Sequence, residues 1–199
     1  MIDTGHLHHW MRAIRESKDP MRTMDAFWRG QIASKEWLIL ELMRYKSEVK
    51  PWPNIDIHGG WVGTLASLLF QSDMFINHIN SIDIDPDCQK IAETMNQMEF
   101  EAGRFHAVTS DMCVFRSDAE IVINTSFEHI SQDEYDLWLS GLPQNSLIVL
   151  QSNNYDIPEH VRIAKDLEEF KSQAQLEKVF YAGERDMPLY KRFMIIGKK

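Results

Sequence analysis

The chain contains only two cysteines among its 199 residues, Cys88 and Cys113. Two such residues provide neither a disulfide framework nor the spacing of a cysteine metal site, so we expect buried free thiols in a reducing compartment. The sequence also lacks an apolar run near the roughly 18 residues of a membrane-spanning helix. Its first residues lack the basic and then apolar pattern of a secretory signal. We therefore expect a cytoplasmic protein that does not enter a membrane.

Positive charge is scarce, because 21 Lys and Arg residues stand against 30 Asp and Glu residues, a net charge of −9 at pH 7. Such a chain repels a phosphate backbone unless its basic residues cluster, so a nucleic-acid partner is disfavoured. The hydrophobic fraction of 44% is typical of a globular domain with a packed core. The length fits one structural unit, which we expect as a monomer or a homodimer.

The periodicity of the apolar residues changes at about residue 50. Residues 1–50 show helical spacing, with Pro20 at a helix start, and we predict a helical N-terminal cap there. Pro51 and Pro53 end the helical pattern, because two prolines one residue apart cannot continue a helix. Short apolar segments then alternate with amphipathic ones, which predicts an α/β domain over residues 51–199.

The α/β part predicts a seven-stranded, mostly parallel sheet with an antiparallel last strand and helices on both faces. The predicted strands lie near residues 54–57, 79–84, 103–108, 121–124, 146–151, 176–181 and 190–196. The predicted helices cover residues 61–71, 86–97, 131–141 and 158–174. The last two strands follow each other through a turn at residues 183–188 without a helix, so we expect them to pair antiparallel.

A glycine-rich turn follows the first predicted strand and precedes a helix. Glycines let the backbone approach a ligand, and a helix N-terminus favours a polar group. The candidate cofactor-binding residues in this turn are Asp56, His58, Gly59, Gly60, Trp61 and Gly63. The alternative is a tight turn with no ligand.

An acidic residue, Asp83, ends the second predicted strand. A carboxylate at this position can accept hydrogen bonds from both ribose hydroxyls of an adenosine-containing cofactor. Asp85 precedes Pro86, so it is equally suited to cap the next helix.

These motifs resemble those of the class I S-adenosylmethionine-dependent methyltransferase superfamily, in the same order, over residues 54–199. Residues 56–63 resemble its acid-then-glycine motif, Asp83 its ribose-binding acid, residues 110–112 its adenine-contacting segment, and residues 121–130 its fourth strand followed by Glu-His-Ile. The resemblance implies a Rossmann-like fold, S-adenosylmethionine as cofactor with S-adenosylhomocysteine as product, and further cofactor contacts from Asp111, Met112 and Asn124. His58 replaces the first glycine of the family pattern, and the last glycine comes one residue late, at Gly63.

A nicotinamide dinucleotide is the competing cofactor for the same turn. Asp56 would repel its pyrophosphate, whereas it would favour the ammonium group of S-adenosylmethionine. This charge argument favours the methyl donor.

Methyl transfer from a sulfonium depends mainly on aligning the reacting groups, so a base is needed only for a protonated acceptor. His129, with its neighbour Glu128, is the catalytic candidate, because an unperturbed imidazole titrates near pH 6.5. The alternative is a histidine that starts a helix or supports a loop. Candidate acceptor-binding residues are Trp28, Arg29, Lys35, Asn153 and Tyr155.

No metal site is expected. The adjacent histidines His8 and His9 point to different sides of a helix, and no acidic partner is identifiable. We predict methyl transfer to a small-molecule acceptor. Two alternatives stay open. One is aminocarboxypropyl transfer from, or lyase cleavage of, the same cofactor, and the other is a catalytically silent binding or regulatory protein.

Overall fold

The computed structural model describes residues 4–199, so the first three residues of the predicted cap lie outside the described residues. The helices of the described chain are α1 (Thr4–Glu16), α2 (Pro20–Asp25), α3 (Arg29–Arg44), α4 (Thr64–Phe70), α5 (Pro86–Met95), α6 (Gln97–Glu101), α7 (Gln132–Gly141) and α8 (Leu167–Ala174). The strands are β1 (Asn54–His58), β2 (His78–Asp83), β3 (Phe105–Thr109), β4 (Ile121–Asn124), β5 (Leu147–Asn153), β6 (Lys178–Asp186) and β7 (Lys191–Lys198). Short 3-10 helices span Lys46–Glu48 and Phe127–His129. No helix in the described part of the chain is both long and apolar enough to span a membrane.

The seven strands form one sheet in the order β3-β2-β1-β4-β5-β7-β6. Strands β1 to β5 pair in parallel, and β7 pairs antiparallel with both β5 and β6. The predicted mostly parallel sheet with an antiparallel last strand is therefore confirmed. The strand order reverses between β1 and β4, and ligands of open α/β sheets bind at the carboxyl ends of strands at such a switch point.

Side chains alternate across the sheet, and each face has its own apolar core. Ile55 and Ile57 of β1 pack on one face with α3 and α4, whose contacts include Leu38 and Leu65. The opposite face carries α7 and α8, including the buried Trp138. Helices therefore cover both faces, as predicted.

The N-terminal helices pack directly on the sheet domain. Helix α1 lies against α5, and α3 contributes Trp37 to the same core cluster as β1. Trp10 packs on Phe27 and donates a hydrogen bond from Nε1 to Ser67 Oγ at 2.8 Å. The division into a cap and a core domain at residue 50 stays a prediction.

The predicted helix over 158–174 is wrong in its first half, because only Leu167–Ala174 is helical. The N–H groups of Val161 and Arg162 both donate to the carbonyl oxygen of Glu128, at 3.0 and 3.1 Å, and that of Ala164 donates to the carbonyl of Asn153. Backbone donors that bind distant carbonyls cannot form the first turns of a helix. The segment is therefore a loop bound to the 3-10 helix after β4 and to the end of β5.

Three other boundaries differ from the prediction for local reasons. Helix α4 starts at Thr64 and not at residue 61, because Trp61 and Gly63 have positive φ angles of 49° and 80°. The predicted helix over 86–97 ends at Met95, where Asn96 turns the chain and binds the carbonyl of Gly63 at 3.1 Å. The final hairpin turns at residues 187–190 and not at 183–188.

Cys88 is buried as predicted, but Cys113 is partly exposed and lines the cavity described below. Burial raises the pKa of the Cys88 thiol to about 12. The prediction of two buried thiols is therefore correct for one of them.

Candidate active site

A cavity of about 980 Å³ opens at the carboxyl edge of the sheet, and its wall includes the ends of β1, β2, β4 and β5. Its volume is in the range of small-molecule sites, about 300–1,000 Å³. The predicted candidates that line it are Gly59, Gly60, Trp61, Asp83, Asp111, Met112, Glu128, His129, Trp28, Lys35, Asn153 and Tyr155. The topology brings these twelve residues together from segments far apart in the sequence.

The glycine-rich turn is tightly packed against its neighbours. A Cβ atom on Gly59, whose φ is 68°, would lie 2.6 Å from the Cβ of Ser126. A Cβ atom on Gly60 would lie 2.0 Å from Ser81 Oγ and 3.3 Å from its Cα. Glycine is required at position 59 by its positive φ and its contact with Ser126, and it is favoured at position 60, where a Cβ atom would displace Ser81. The bare backbone of the turn forms part of the cavity wall.

The carboxylate of Asp83 connects this turn to the end of β2. Its Oδ2 accepts a hydrogen bond from the N–H of Trp61 at 2.7 Å, and its Oδ1 accepts one from the N–H of Asp85 at 3.0 Å. Each carboxylate oxygen has further acceptor capacity, so the group can also bind a pair of hydroxyls. The same bond to Trp61 stabilises the positive φ of this residue.

Asp85 caps helix α5, the alternative that the sequence left open. Its Oδ1 accepts a hydrogen bond from the N–H of Asp87 at 2.9 Å, and Arg22 donates to its Oδ2 at 2.6 Å. The N–H of Asp87 and then the Arg22 guanidinium hold the pKa of the Asp85 carboxyl below its ordinary value.

Asp56 and His58 do not line the cavity, so their contact with a cofactor stays a prediction. Alternation along β1 directs Ile57 toward the cavity and places Asp56 and His58 on the opposite face. Asp56 accepts a hydrogen bond from Asn80 Nδ2 at 2.8 Å, and burial raises the pKa of its carboxyl. His58 is fully buried and accepts a hydrogen bond at Nδ1 from Trp138 Nε1 at 2.8 Å.

Three further predicted residues are also outside the cavity lining. Gly63 is the N-cap of α4, and a Cβ atom there would lie 3.1 Å from the Cα of Ala92. Asn124 is buried, and its Oδ1 accepts a hydrogen bond from the N–H of Ser126 at 2.9 Å. Arg29 begins α3 without lining the cavity, unlike its neighbour Trp28.

Glu128 lines the cavity and forms a buried ion pair with Arg192. Its Oε1 accepts hydrogen bonds from Arg192 Nη1 at 2.8 Å and from Asn153 Nδ2 at 2.5 Å. His129 does not bind this carboxylate, because its Nδ1 lies 3.0 Å from the carbonyl oxygen of Glu159. The two predicted catalytic residues therefore have separate partners.

Lys35 carries the strongest electrostatic perturbation among the cationic groups of the cavity wall. Burial, and secondly the positive charge of Arg192, lower the pKa of the Lys35 amine to about 7. Its Nζ donates a hydrogen bond to Gln31 Oε1 at 2.8 Å. The neutral form of the amine is thus far more accessible than in a free lysine, and an anionic ligand beside it would favour the charged form.

Sequence reasoning did not identify Arg192, His160 and Tyr190, which also line the cavity. Arg192 reaches the site because β7 pairs with β5, with Asn153 opposite Arg192. Tyr190 stacks on Tyr155 with ring centroids 5.4 Å apart. The pairing of β7 with β5, which brings Arg192 and Tyr190 to the cavity, is a feature of the tertiary structure that no sequence motif indicates.

The sheet order, the glycine-rich turn and the acid at the end of β2 define a class I methyltransferase fold. No protein-family model and no curated protein sequence matches the chain significantly.

Solved structures with this fold are similar to the chain at low sequence identity. One is the magnesium protoporphyrin IX methyltransferase of Synechocystis PCC 6803 with bound SAH, with a TM-score of 0.68 and 15% identity over 98% of this chain and 93% of that one. Another is MtNAS in complex with MTA and tNA, with a TM-score of 0.58 and 12% identity over 98% of this chain and 70% of that one. A third is aTrm5 in complex with tRNALeu, with a TM-score of 0.59 and 13% identity over 79% of this chain and 44% of that one. Identities this low carry information on the fold alone.

Proposed function

We propose that the protein binds S-adenosylmethionine at the carboxyl edge of β1 and β2 and transfers its methyl group to a small-molecule acceptor. The observation that carries this proposal is the direct hydrogen bond between the turn after β1 and Asp83 at the edge of the cavity. Support also comes from the similar fold of a methyltransferase solved with SAH.

The residues of the cavity suit the parts of this cofactor. Asp83 would accept hydrogen bonds from the ribose hydroxyls, while the segment with Asp111 and Met112 would border the adenine. The bare backbone of Gly59 and Gly60 leaves room for close approach of the ligand. When bound, the cofactor supplies an electrophilic methyl group on a positively charged sulfur.

The acceptor would occupy the opposite part of the cavity. Lys35, with its lowered amine pKa, would pair with an anionic group, and Trp28 offers an exposed aromatic surface for a flat molecule. The net charge of −9 further favours a small molecule over RNA. Holding the acceptor in line with the methyl group is the main contribution that these residues make.

His129 would act through Nε2 if the acceptor must lose a proton. Its Nδ1 faces the carbonyl of Glu159, which can only accept, so Nδ1 carries the ring proton of the neutral imidazole. The lone pair is therefore on Nε2. The catalytic use of this lone pair stays a prediction.

The proposal is tested by incubating the purified protein with isotope-labelled S-adenosylmethionine and a metabolite extract or, in parallel, total RNA. Mass spectrometry should detect S-adenosylhomocysteine with a labelled small molecule. Methylthioadenosine would instead indicate aminocarboxypropyl transfer, and methylated RNA would contradict the small-molecule acceptor. Binding without turnover would support the silent binding protein. The Asp83→Asn variant is the control, since it should lose product formation in every arm.

A further inference from the structure

Three potential metal ligands converge at the acceptor side of the cavity. One ligand atom each from Glu128, His129 and His160 lies within 4.8 Å of the other two. All three residues line the cavity. Glu128 and His129 come from the 3-10 helix after β4, whereas His160 comes from the loop after β5. Two imidazoles and one carboxylate are a ligand set that binds zinc and similar transition metals.

Backbone hydrogen bonds fix the two loops to each other. The carbonyl oxygen of Glu128 accepts from the N–H groups of Val161 and Arg162, the two residues after His160. The imidazole rings of His129 and His160 have centroids 4.9 Å apart. The convergence therefore results from the loop conformation, and not from the chance approach of two surface side chains.

Both histidines have the ring nitrogen Nε2 available for coordination. His129 Nδ1 lies 3.0 Å from the carbonyl oxygen of Glu159, and His160 Nδ1 lies 2.6 Å from that of Tyr155. A carbonyl oxygen can only accept, so both Nδ1 atoms carry a proton and the Nε2 atoms carry the lone pairs. Metal-ligating histidines almost always have such a backbone or carboxylate partner at the other nitrogen.

The strongest single indication of a ligand at this site is the carboxylate of Glu128. It is 3% exposed, and its Oε1 is bound by Arg192 and Asn153. Its Oε2 is buried and has no hydrogen-bond partner among residues 4–199. A buried carboxylate oxygen without a partner destabilises the folded state, so we expect this atom to bind a ligand. Arg192 and Asn153 would orient the carboxylate as outer-sphere partners orient a metal ligand.

We propose that Glu128 Oε2, His129 Nε2 and His160 Nε2 bind a divalent transition metal, with Zn²⁺ as the representative ion. Zinc bonds of about 2.0–2.2 Å place tetrahedral ligands roughly 3.4 Å apart, so binding requires side-chain shifts on the order of 1 Å. Three protein ligands leave a coordination position open to the cavity, as in catalytic zinc sites. Mg²⁺ and Ca²⁺ are disfavoured because they prefer sets of oxygen ligands.

This metal would hold an oxygen-bearing acceptor beside the methyl donor, and this role rests on the proposed function. The existence of the metal site does not depend on the proposed function. In this arrangement the lone pair of His129 Nε2 binds the metal and is not available to accept a proton from the substrate. The expectation of no metal site, which considered His8 and His9, did not include His160. No spacing rule connects positions 128, 129 and 160 before the two loops are placed in space.

The test is calorimetric titration of chelator-treated protein with Zn²⁺, combined with thermal unfolding at each metal concentration. Wild type should bind one equivalent tightly and gain thermal stability by mass action. His160→Asn retains an amide donor for the carbonyl of Tyr155 and removes Nε2. We expect at least a 100-fold loss of affinity, since the loss of an outer partner alone costs about 10–100-fold. His129→Asn should give the same result.

His78→Asn is the matched control. His78 and His106 also have ring centroids 5.0 Å apart, but neither lines the cavity. Their substitution should leave Zn²⁺ affinity unchanged. The absence of a tight Zn²⁺ site in wild type, unchanged Zn²⁺ affinity in His160→Asn, or an equal loss of affinity in His78→Asn would overturn the inference. Asp83→Asn should lose S-adenosylhomocysteine binding and keep Zn²⁺ binding, which separates this inference from the proposed function.

Discussion

At the scale of single residues, His58 shows how burial changes the chemistry of a motif position. Its imidazole lies between Trp138 and Phe115, and burial lowers its pKa to about 4. In the unfolded chain the group titrates near 6.5. The unfolded state therefore binds more protons between pH 6.5 and 4, and the stability that neutral His58 maintains above pH 6.5 is lost as the pH falls through this window.

We predict that His58→Gln reduces the acid sensitivity of folding. Glutamine keeps a hydrogen-bond acceptor for Trp138 but takes up no proton in the unfolded chain. Between pH 6.5 and 4 the free energy of unfolding of wild type should fall by about 3 kcal/mol more than that of the variant. Urea unfolding at several pH values measures the difference, with the exposed His106→Gln as control. Parallel pH profiles of wild type and His58→Gln would contradict this account.

We expect that the buried amine of Lys35 lowers the free energy of unfolding, although the same amine can bind an acceptor. Its amine pKa of about 7 in the fold is well below the value in the unfolded chain. This loss of unfolding free energy has its full size below pH 7. It disappears as the pH rises from 7 toward the pKa of the amine in the unfolded chain. Lys35→Met should therefore raise the melting temperature at pH 6 by several degrees, at about 2–4 °C per kcal/mol, and by less at pH 9. A variant that melts below wild type at pH 6 would contradict this expectation.

At the scale of elements, the turn between β1 and α4 carries the most specific backbone requirement. In Gly59→Ala, the alanine would have to adopt the positive φ of this position, and its Cβ atom would lie 2.6 Å from the Cβ of Ser126. We expect a loss of about 1–3 kcal/mol in unfolding free energy and weaker S-adenosylhomocysteine binding. Denaturant unfolding and calorimetry measure both effects.

Gly30→Ala is the matched control for this substitution. A Cβ atom on Gly30 meets only Trp28 Cδ1, at 3.9 Å, and the residue lies in α3. Alanine in this helix should leave stability unchanged or raise it by up to about 1 kcal/mol. Equal losses in the two variants would show that the turn has no special requirement for glycine.

Sequence periodicity was sufficient for the strands and insufficient for the loop before α8. Each of the seven strands was predicted near its observed position, because short β-branched segments between turn residues are a local signal. The loop before α8 was predicted as helix, because its backbone hydrogen bonds to the Glu128 carbonyl link Val161 and Arg162 to a residue 33 and 34 positions earlier, which no local pattern reveals. The motif at Asp56 was read correctly as a sequence pattern, but only the alternation along β1 shows that its side chain faces away from the cavity.

At the scale of the whole molecule, the topology assembles the site from both ends of the chain. Helix α3 contributes Lys35, the turn after β1 contributes Gly59, and the last strand contributes Arg192. The proposed cofactor contacts lie in three short segments that follow β1, β2 and β3, so sequence motifs could indicate them. The part of the cavity proposed for the acceptor depends on contacts between β5, β7 and two loops, which no local pattern specifies.

The central claim is a cofactor site built on Asp83, and calorimetric titration with S-adenosylhomocysteine tests it most directly. Asp83→Asn removes a charged acceptor, so the dissociation constant should rise by at least about 30-fold, equivalent to about 2 kcal/mol. Asp56→Asn, a charge-removing substitution on the opposite face of the sheet, should bind as tightly as wild type. Thermal unfolding of both variants checks that they are folded. The absence of binding to wild type, or equal affinity in Asp83→Asn and wild type, would contradict the account.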